Sequence, residues 1–117
     1  MAGNRWYETF PAAIMVTDKN GVIINMNEQS VVNYKKNGGL ELIGTSAITC
    51  HKGPSLKKIE DLFKSQKANT YFITKNKKKK LVYQAPYFED GVFAGMVELS
   101  VPLPDDIPHY DRDAQKK

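Results

Sequence analysis

The sequence predicts an α+β domain in which a five-stranded antiparallel sheet carries short helices packed on one face. Three observations carry this prediction. Two apolar runs rich in β-branched residues, 13–16 and 22–24, flank Asp18-Lys19-Asn20-Gly21, and Asn-Gly supplies the positive-φ chemistry of a hairpin turn. Leu56, Ile59, Leu62 and Phe63 recur at three- and four-residue steps opposite Lys57, Lys58, Glu60, Asp61 and Lys64, the pattern of an amphipathic helix. Three β-rich stretches, 70–74, 81–88 and 92–101, close the chain with turn signals between them. Hairpins at both ends with helices between them place the helices on one face, and the two layers enclose a cavity.

The elements follow in order. In residues 1–11, Trp6, Tyr7 and Phe10 have helical spacing, and Pro11 ends that turn. The aromatic segment either caps the domain's own sheet or forms a dimer contact. The first hairpin alone is marginal in water, since a stable sheet needs further strands and a covered face. Asn27 is placed to N-cap a helix from Glu28, whose carboxylate suits the positive end of the helix dipole. Lys35 and Lys36 lie near its end, and Gly38-Gly39 stops it. A short apolar segment, 40–43, is closed by Gly44, and a loop over 45–54 holds Cys50 and His51. Ser55 is the expected N-cap of the amphipathic helix, which runs to Gln66.

In the C-terminal part, Lys75 and Lys77 to Lys80 are expected to form a turn. Glu89-Asp90-Gly91 forms a second one. Along the last strand Phe93, Gly95, Val97, Leu99 and Val101 share the face expected to pack in the core. Met96, Glu98 and Ser100, with Val92 and Ala94, share the other, apolar enough for a lid or a partner. Pro86 has no N–H for a ladder, so a bulge or an outward position is expected there. Residues 102–117 read as a polar tail without packing signals.

At 117 residues the chain has room for one domain with a real core. Its hydrophobic 41% and charged 26% are ordinary for a globular protein. No apolar run approaches the roughly 20 residues of a membrane span, and no signal-peptide layout opens the chain. The single cysteine excludes an internal disulfide and, with no signal, predicts a cytoplasmic location. Much of the net charge of +4 is the local lysine run. Several lysines on a hairpin tip would contact phosphates non-specifically. Without aromatic interleaving or a recognition helix, a solvated, edge-protecting turn is the better reading, so no nucleic-acid partner is expected.

The ordered markers resemble the PAS domain family: Asp18-Lys19-Asn20-Gly21 between two strands, Asn27 opening a helix, Ile43-Gly44 closing a short one, and a final strand pair over 87–91 and 93–99. The likeness spans about residues 10–101, so residues 12–101 form the PAS-like domain. More narrowly, Cys50-His51 ahead of Ser55, Tyr71-Phe72-Ile73, Tyr83-Gln84-Ala85 and Phe93-Ala94-Gly95-Met96-Val97-Glu98 are similar to PAS modules attached to hemerythrin-like regions in anaerobic bacteria. Those modules usually carry prolines directly after the His, where this chain has Lys52-Gly53 before Pro54. The resemblance implies sensing or protein interaction in signal transduction, and no reaction.

The residues agree with a binding role. No nucleophile elbow, P-loop, dinucleotide fingerprint or paired metal motif is present. One Cys beside one His lacks the further ligands of a zinc site, so neither catalytic nor metal residues are predicted. His51 is the sharpest local feature. It serves as an axial haem ligand, as a polar group orienting a small ligand, or only as a partner of nearby backbone. No flavin-cysteine motif surrounds Cys50. Tyr34, Phe72, Tyr83 and Phe93, with Tyr71 and Tyr87, either line a pocket for an apolar or planar ligand or fill a solid aromatic core. Trp6, Tyr7, Phe10 and Met96 are the candidate homodimer contacts. The prediction is a ligand-binding or dimerising sensory module, the alternative being a constitutive dimerisation module with a filled core.

Overall fold

Asp18 organises the first turn. Its Oδ1 accepts hydrogen bonds from the amides of Asn20 and Val22 at 2.9 and 3.0 Å, and its carbonyl accepts from Gly21 N at 3.0 Å. These bonds join strand β1 (Ala13–Asp18) to β2 (Ile23–Met26) in the expected antiparallel hairpin. They belong to a computed structural model that describes residues 5–48 and 53–114.

Asn27 caps helix α1 (Glu28–Asn33) by accepting from Ser30 N at 3.1 Å. The helix is shorter than predicted. After Asn33 the chain tightens into two 3₁₀ turns, Lys35–Asn37 and Gly39–Leu42, with Gly38 between them at φ +120°, a conformation open to glycine. Helix α2 (Pro54–Ser65) begins one residue before the predicted cap. Gly53 occupies the cap position and Pro54 the first helical position, where its missing N–H costs nothing; Ser55 therefore lies inside the helix.

The remaining strands are β3 (Asn69–Lys75), β4 (Lys78–Glu89) and β5 (Val92–Pro102). The lysine run is mostly strand rather than turn. Only Asn76 and Lys77 turn the chain, both at positive φ (54° and 62°), as a two-residue hairpin of type I′ requires. Lys78, Lys79 and Lys80 then pair with Lys75, Thr74 and Ile73. The Lys79 ammonium sits 5.4 Å from the centre of the Phe72 ring. Pro86 lies two residues beyond the last β3–β4 pair, Asn69↔Gln84, where β4 has a single neighbour. The bulge follows between Tyr87 and Phe88, with Ala94 as the extra residue on β5.

The five strands form one antiparallel sheet in the order β2-β1-β5-β4-β3. The two terminal hairpins meet at β1 and β5, paired from Ala13↔Ser100 to Asp18↔Gly95. Met15, Ile23 and Met26 form a buried cluster against which Val31, Tyr34, Leu42 and Ala47 pack. Among the described residues the buried hydrophobic side chains are aliphatic or sulfur-bearing, and none is aromatic. The aromatic-core reading is therefore corrected: the buried cluster is not built of rings, although Tyr34 packs against it.

The two faces of β5 are also exchanged relative to expectation. Met96 is buried and lines the space beneath the helices, together with Glu98 and Ser100. Val97 and Leu99, opposite Val16 and Ile14, belong to the outer face. The extra residue at Ala94 turns Phe93 back to the helix side, where its ring meets Phe63 of α2 edge-on at 6.3 Å. Past Pro102 the chain runs beside the β3–β4 hairpin, with Leu103 N donating to the Lys79 carbonyl at 3.0 Å. Among the described residues no helix is long and apolar enough to cross a membrane.

Candidate ligand-binding site

The stripe on α2 that the sequence marks as apolar is only half-buried. Leu56, Ile59, Leu62 and Phe63 are all partly accessible. The helix stands over the sheet as a roof, and between them lies an open-sided cavity of about 1040 Å³. Ile59, Leu62 and Phe63 line it from above. Met15, Val82 and Met96 form an apolar floor, and Tyr34 and Leu42 close one wall.

A row of polar side chains crosses that floor. Asn69, Gln84 and Glu98 are register partners on β3, β4 and β5, so their side chains project to the same face. Asn69 Nδ2 donates to Gln84 Oε1 at 3.0 Å, and Gln84 Nε2 donates to Glu98 Oε2 at 2.8 Å. Tyr34, the C-cap residue of α1, donates its hydroxyl to Glu98 Oε1 at 3.0 Å. The chain of bonds ties three strands to the end of α1.

Burial, the nearby Glu98 charge and the hydrogen bond to Glu98 push the Tyr34 phenol far above the usual tyrosine range. Burial and the same carboxylate also raise Tyr71. Tyr34 therefore stays a donor throughout the physiological range. An acid whose pKa is raised by folding adds stability that is fully present below its unfolded value, 10.0, and is lost as the pH climbs beyond it. Denaturant unfolding should accordingly show stability falling above about pH 10. The Tyr34→Phe variant should start about 1 kcal/mol less stable at neutral pH and fall less steeply. Equal slopes in the two proteins would remove Tyr34 as the source.

The sequence-derived site residues are distributed over different surfaces. Tyr34 lines the cavity. Phe93 sits beside it against Phe63. Phe72 and Tyr83 do not line it: paired with Leu81 and Thr70, they occupy the opposite face, with Phe72 63% exposed. The reason is register, since Tyr71 and Val82 take the helix-facing positions of that pair. Met96, expected at a dimer contact, is 5% exposed and lines the cavity, so it is unavailable to a partner on the outer face. Trp6, Tyr7 and Phe10 cluster edge-on, with ring centres 5.8 and 5.5 Å from Trp6, and Trp6 is 58% exposed. His51, with its haem reading, and Cys50 lie outside the described residues.

No protein-family model matches the chain, and no curated protein matches it in sequence. Its likeness is to solved structures. The PAS domain of an HTR-like protein from Haloarcula marismortui superposes with a TM-score of 0.58 at 13% identity, over 84% of this chain and 86% of that one. The fold is that of a PAS domain. The Aer2 receptor of Vibrio cholerae, a dual PAS-heme oxygen sensor, gives a TM-score of 0.58 at 16% identity, over 80% of this chain and 95% of that one. A sensory box sensor histidine kinase from Vibrio cholerae gives 0.58 at 11% identity, over 86% and 87%.

Within this PAS fold the sequence reading missed Asn69, Gln84 and Glu98 as a site. Their signal was present: polar residues at alternate positions among Val82, Met96 and Tyr71 become one row once β3, β4 and β5 are aligned. Alignment between strands, which no single segment reveals, was the missing step.

Proposed function

We propose that this chain is a sensory PAS module of bacterial signal transduction, acting by binding rather than catalysis, which takes a small molecule into the cavity between α2 and the sheet. One observation carries the reading: a hydrogen-bonded polar row lies on an apolar floor, under a helix whose apolar stripe is incompletely covered. Ligand sites combine apolar walls with a few placed polar groups in this way. An occupant touching Ile59, Leu62 and Phe63 would shift α2 against the sheet. The shift would pass through β5 and β1 to the outer face and to the Trp6, Tyr7 and Phe10 segment, the proposed homodimer contact in a cytoplasmic assembly. A ligand moves such an equilibrium only by its differential affinity for the two states.

The exposed aromatic cluster supports a second reading, constitutive dimerisation without a ligand. One experiment separates the two. Fractionated small-molecule extract is added to the protein, thermal melting is followed, and size exclusion compares wild type with a Trp6→Ala/Phe10→Ala variant. A fraction that raises Tm by about 4 °C or more supports the sensor. Unchanged melting with a dimer that the double variant converts to monomer supports the second reading. Unchanged melting with monomers throughout removes both.

A further inference from the structure

Among the described residues Glu98 is the one acidic side chain on the cavity floor, and its surroundings define what it can accept. Each carboxylate oxygen receives a single hydrogen bond from the described residues, one from Tyr34 and one from Gln84. A carboxylate has about four acceptor sites, so half of its capacity is unused by these partners. Among the described residues no cation pairs with it. Two aromatic residues, Tyr34 and Tyr71, also line the cavity, and both feel the Glu98 charge; aromatic rings attract cations. The other charged groups at the cavity, Lys58, Asp61 and Lys67, lie at its exposed rim. Asp61 is held by Lys57 at 3.3 Å, and solvent screens all three. The interior field is therefore negative, although the whole chain is basic.

We propose that the cavity selects a small molecule with an apolar body and a cationic nitrogen, an amine or amidinium, which donates to Glu98 in the space that Tyr34 and Tyr71 also line. The body of the ligand lies against Met15, Met96 and the α2 stripe. Gln84 and Tyr34 hold the carboxylate in place, so ordering it costs little when the ligand arrives. A carboxylate-bearing ligand of the same size meets repulsion from Glu98, and a neutral one leaves its charge unpaired. This inference rests on reading the cavity as a ligand site and adds the charge of what enters.

The test uses the whole chain, labelled at the methionine methyls, with three probes of matched size: 2-phenylethylamine, 2-phenylethanol and 3-phenylpropionate. The amine is expected to shift the Met15 and Met96 methyl signals and to bind about tenfold more tightly than the alcohol, with the carboxylate weakest. Glu98→Gln should remove about tenfold from the amine-to-alcohol preference. If that variant fails to fold, the ranking of the three probes on the wild type decides alone. An alcohol or carboxylate that moves the same methyls as tightly as the amine overturns the charge preference and leaves the cavity as a ligand site. Methyl signals unmoved by all three overturn both.

Discussion

Replacing Gly95 with alanine should destabilise the fold by about 3 kcal/mol or more, since overpacking costs typically 1–3 where side chains can adjust. Here the obstacle is backbone. A Cβ on Gly95 would overlap the Thr17 carbonyl oxygen and lie 2.9 Å from both Thr17 C and Tyr87 Cε1. Gly95 is the first β5 residue paired with β1, opposite Asp18, and it faces Tyr87 on β4. The Tyr87 ring fills the space that the missing side chain leaves, and its hydroxyl donates to Thr17 O at 3.2 Å, an aromatic covering for a strand glycine. Alanine must push β1 or Tyr87 away and strip that bond. Small domains hold about 5–15 kcal/mol in total, so urea unfolding should show a midpoint lowered by a large fraction. A loss under about 1 kcal/mol would mean that the β1–β5 seam yields without resistance.

Asn27→Ala should cost a similar amount, about 3 kcal/mol or more, by a different route: caps are worth about 1 and buried orphaned groups about 1–3 each. Asn27 is 1% exposed and its amide is fully used. Oδ1 accepts from Ile14 N at 2.9 Å and from Ser30 N at 3.1 Å, while Nδ2 donates to the carbonyls of Tyr7 and Ala12, both at 2.8 Å. One side chain thus joins the N-terminal turn, β1 and α1. Asn27→Asp keeps the two accepted bonds but sets an oxygen against two carbonyls, and should lose nearly as much stability. An aspartate variant as stable as wild type in denaturant titration would show that donation to Tyr7 and Ala12 contributes little.

Asn27 also marks how far a sequence alone can be read. Its role as N-cap follows from its place before Glu28, because capping is local. Its hold on Tyr7 and Ala12 does not, because that depends on where the chain passes in space. The first hairpin, the α2 stripe and the closing strands are legible for the same reason: each is fixed by periodicity and turn chemistry within a few residues. The sidedness of β5 is not. Alternation defines two faces, and polarity then argues for the wrong one, since Glu98 turns inward to serve the polar row and Ser100 lines the cavity with it, while Leu99 and Val101 turn outward. The bulge at Ala94 shifts Phe93 out of phase, so strict alternation misplaces that ring as well. Lysines 78–80 mislead through composition: they read as a turn, yet the tight turn needs only Asn76 and Lys77.

The pairing of β1 with β5 has a temporal consequence. Thr17 and Met96, linked through the Thr17 hydroxyl, stand 79 residues apart in the chain. During synthesis the opening hairpin must wait, one edge bare, until β5 has left the ribosome, and closing so distant a contact slows folding. Fragments that stop before the last strand should therefore stay unfolded and prone to associate through that waiting edge.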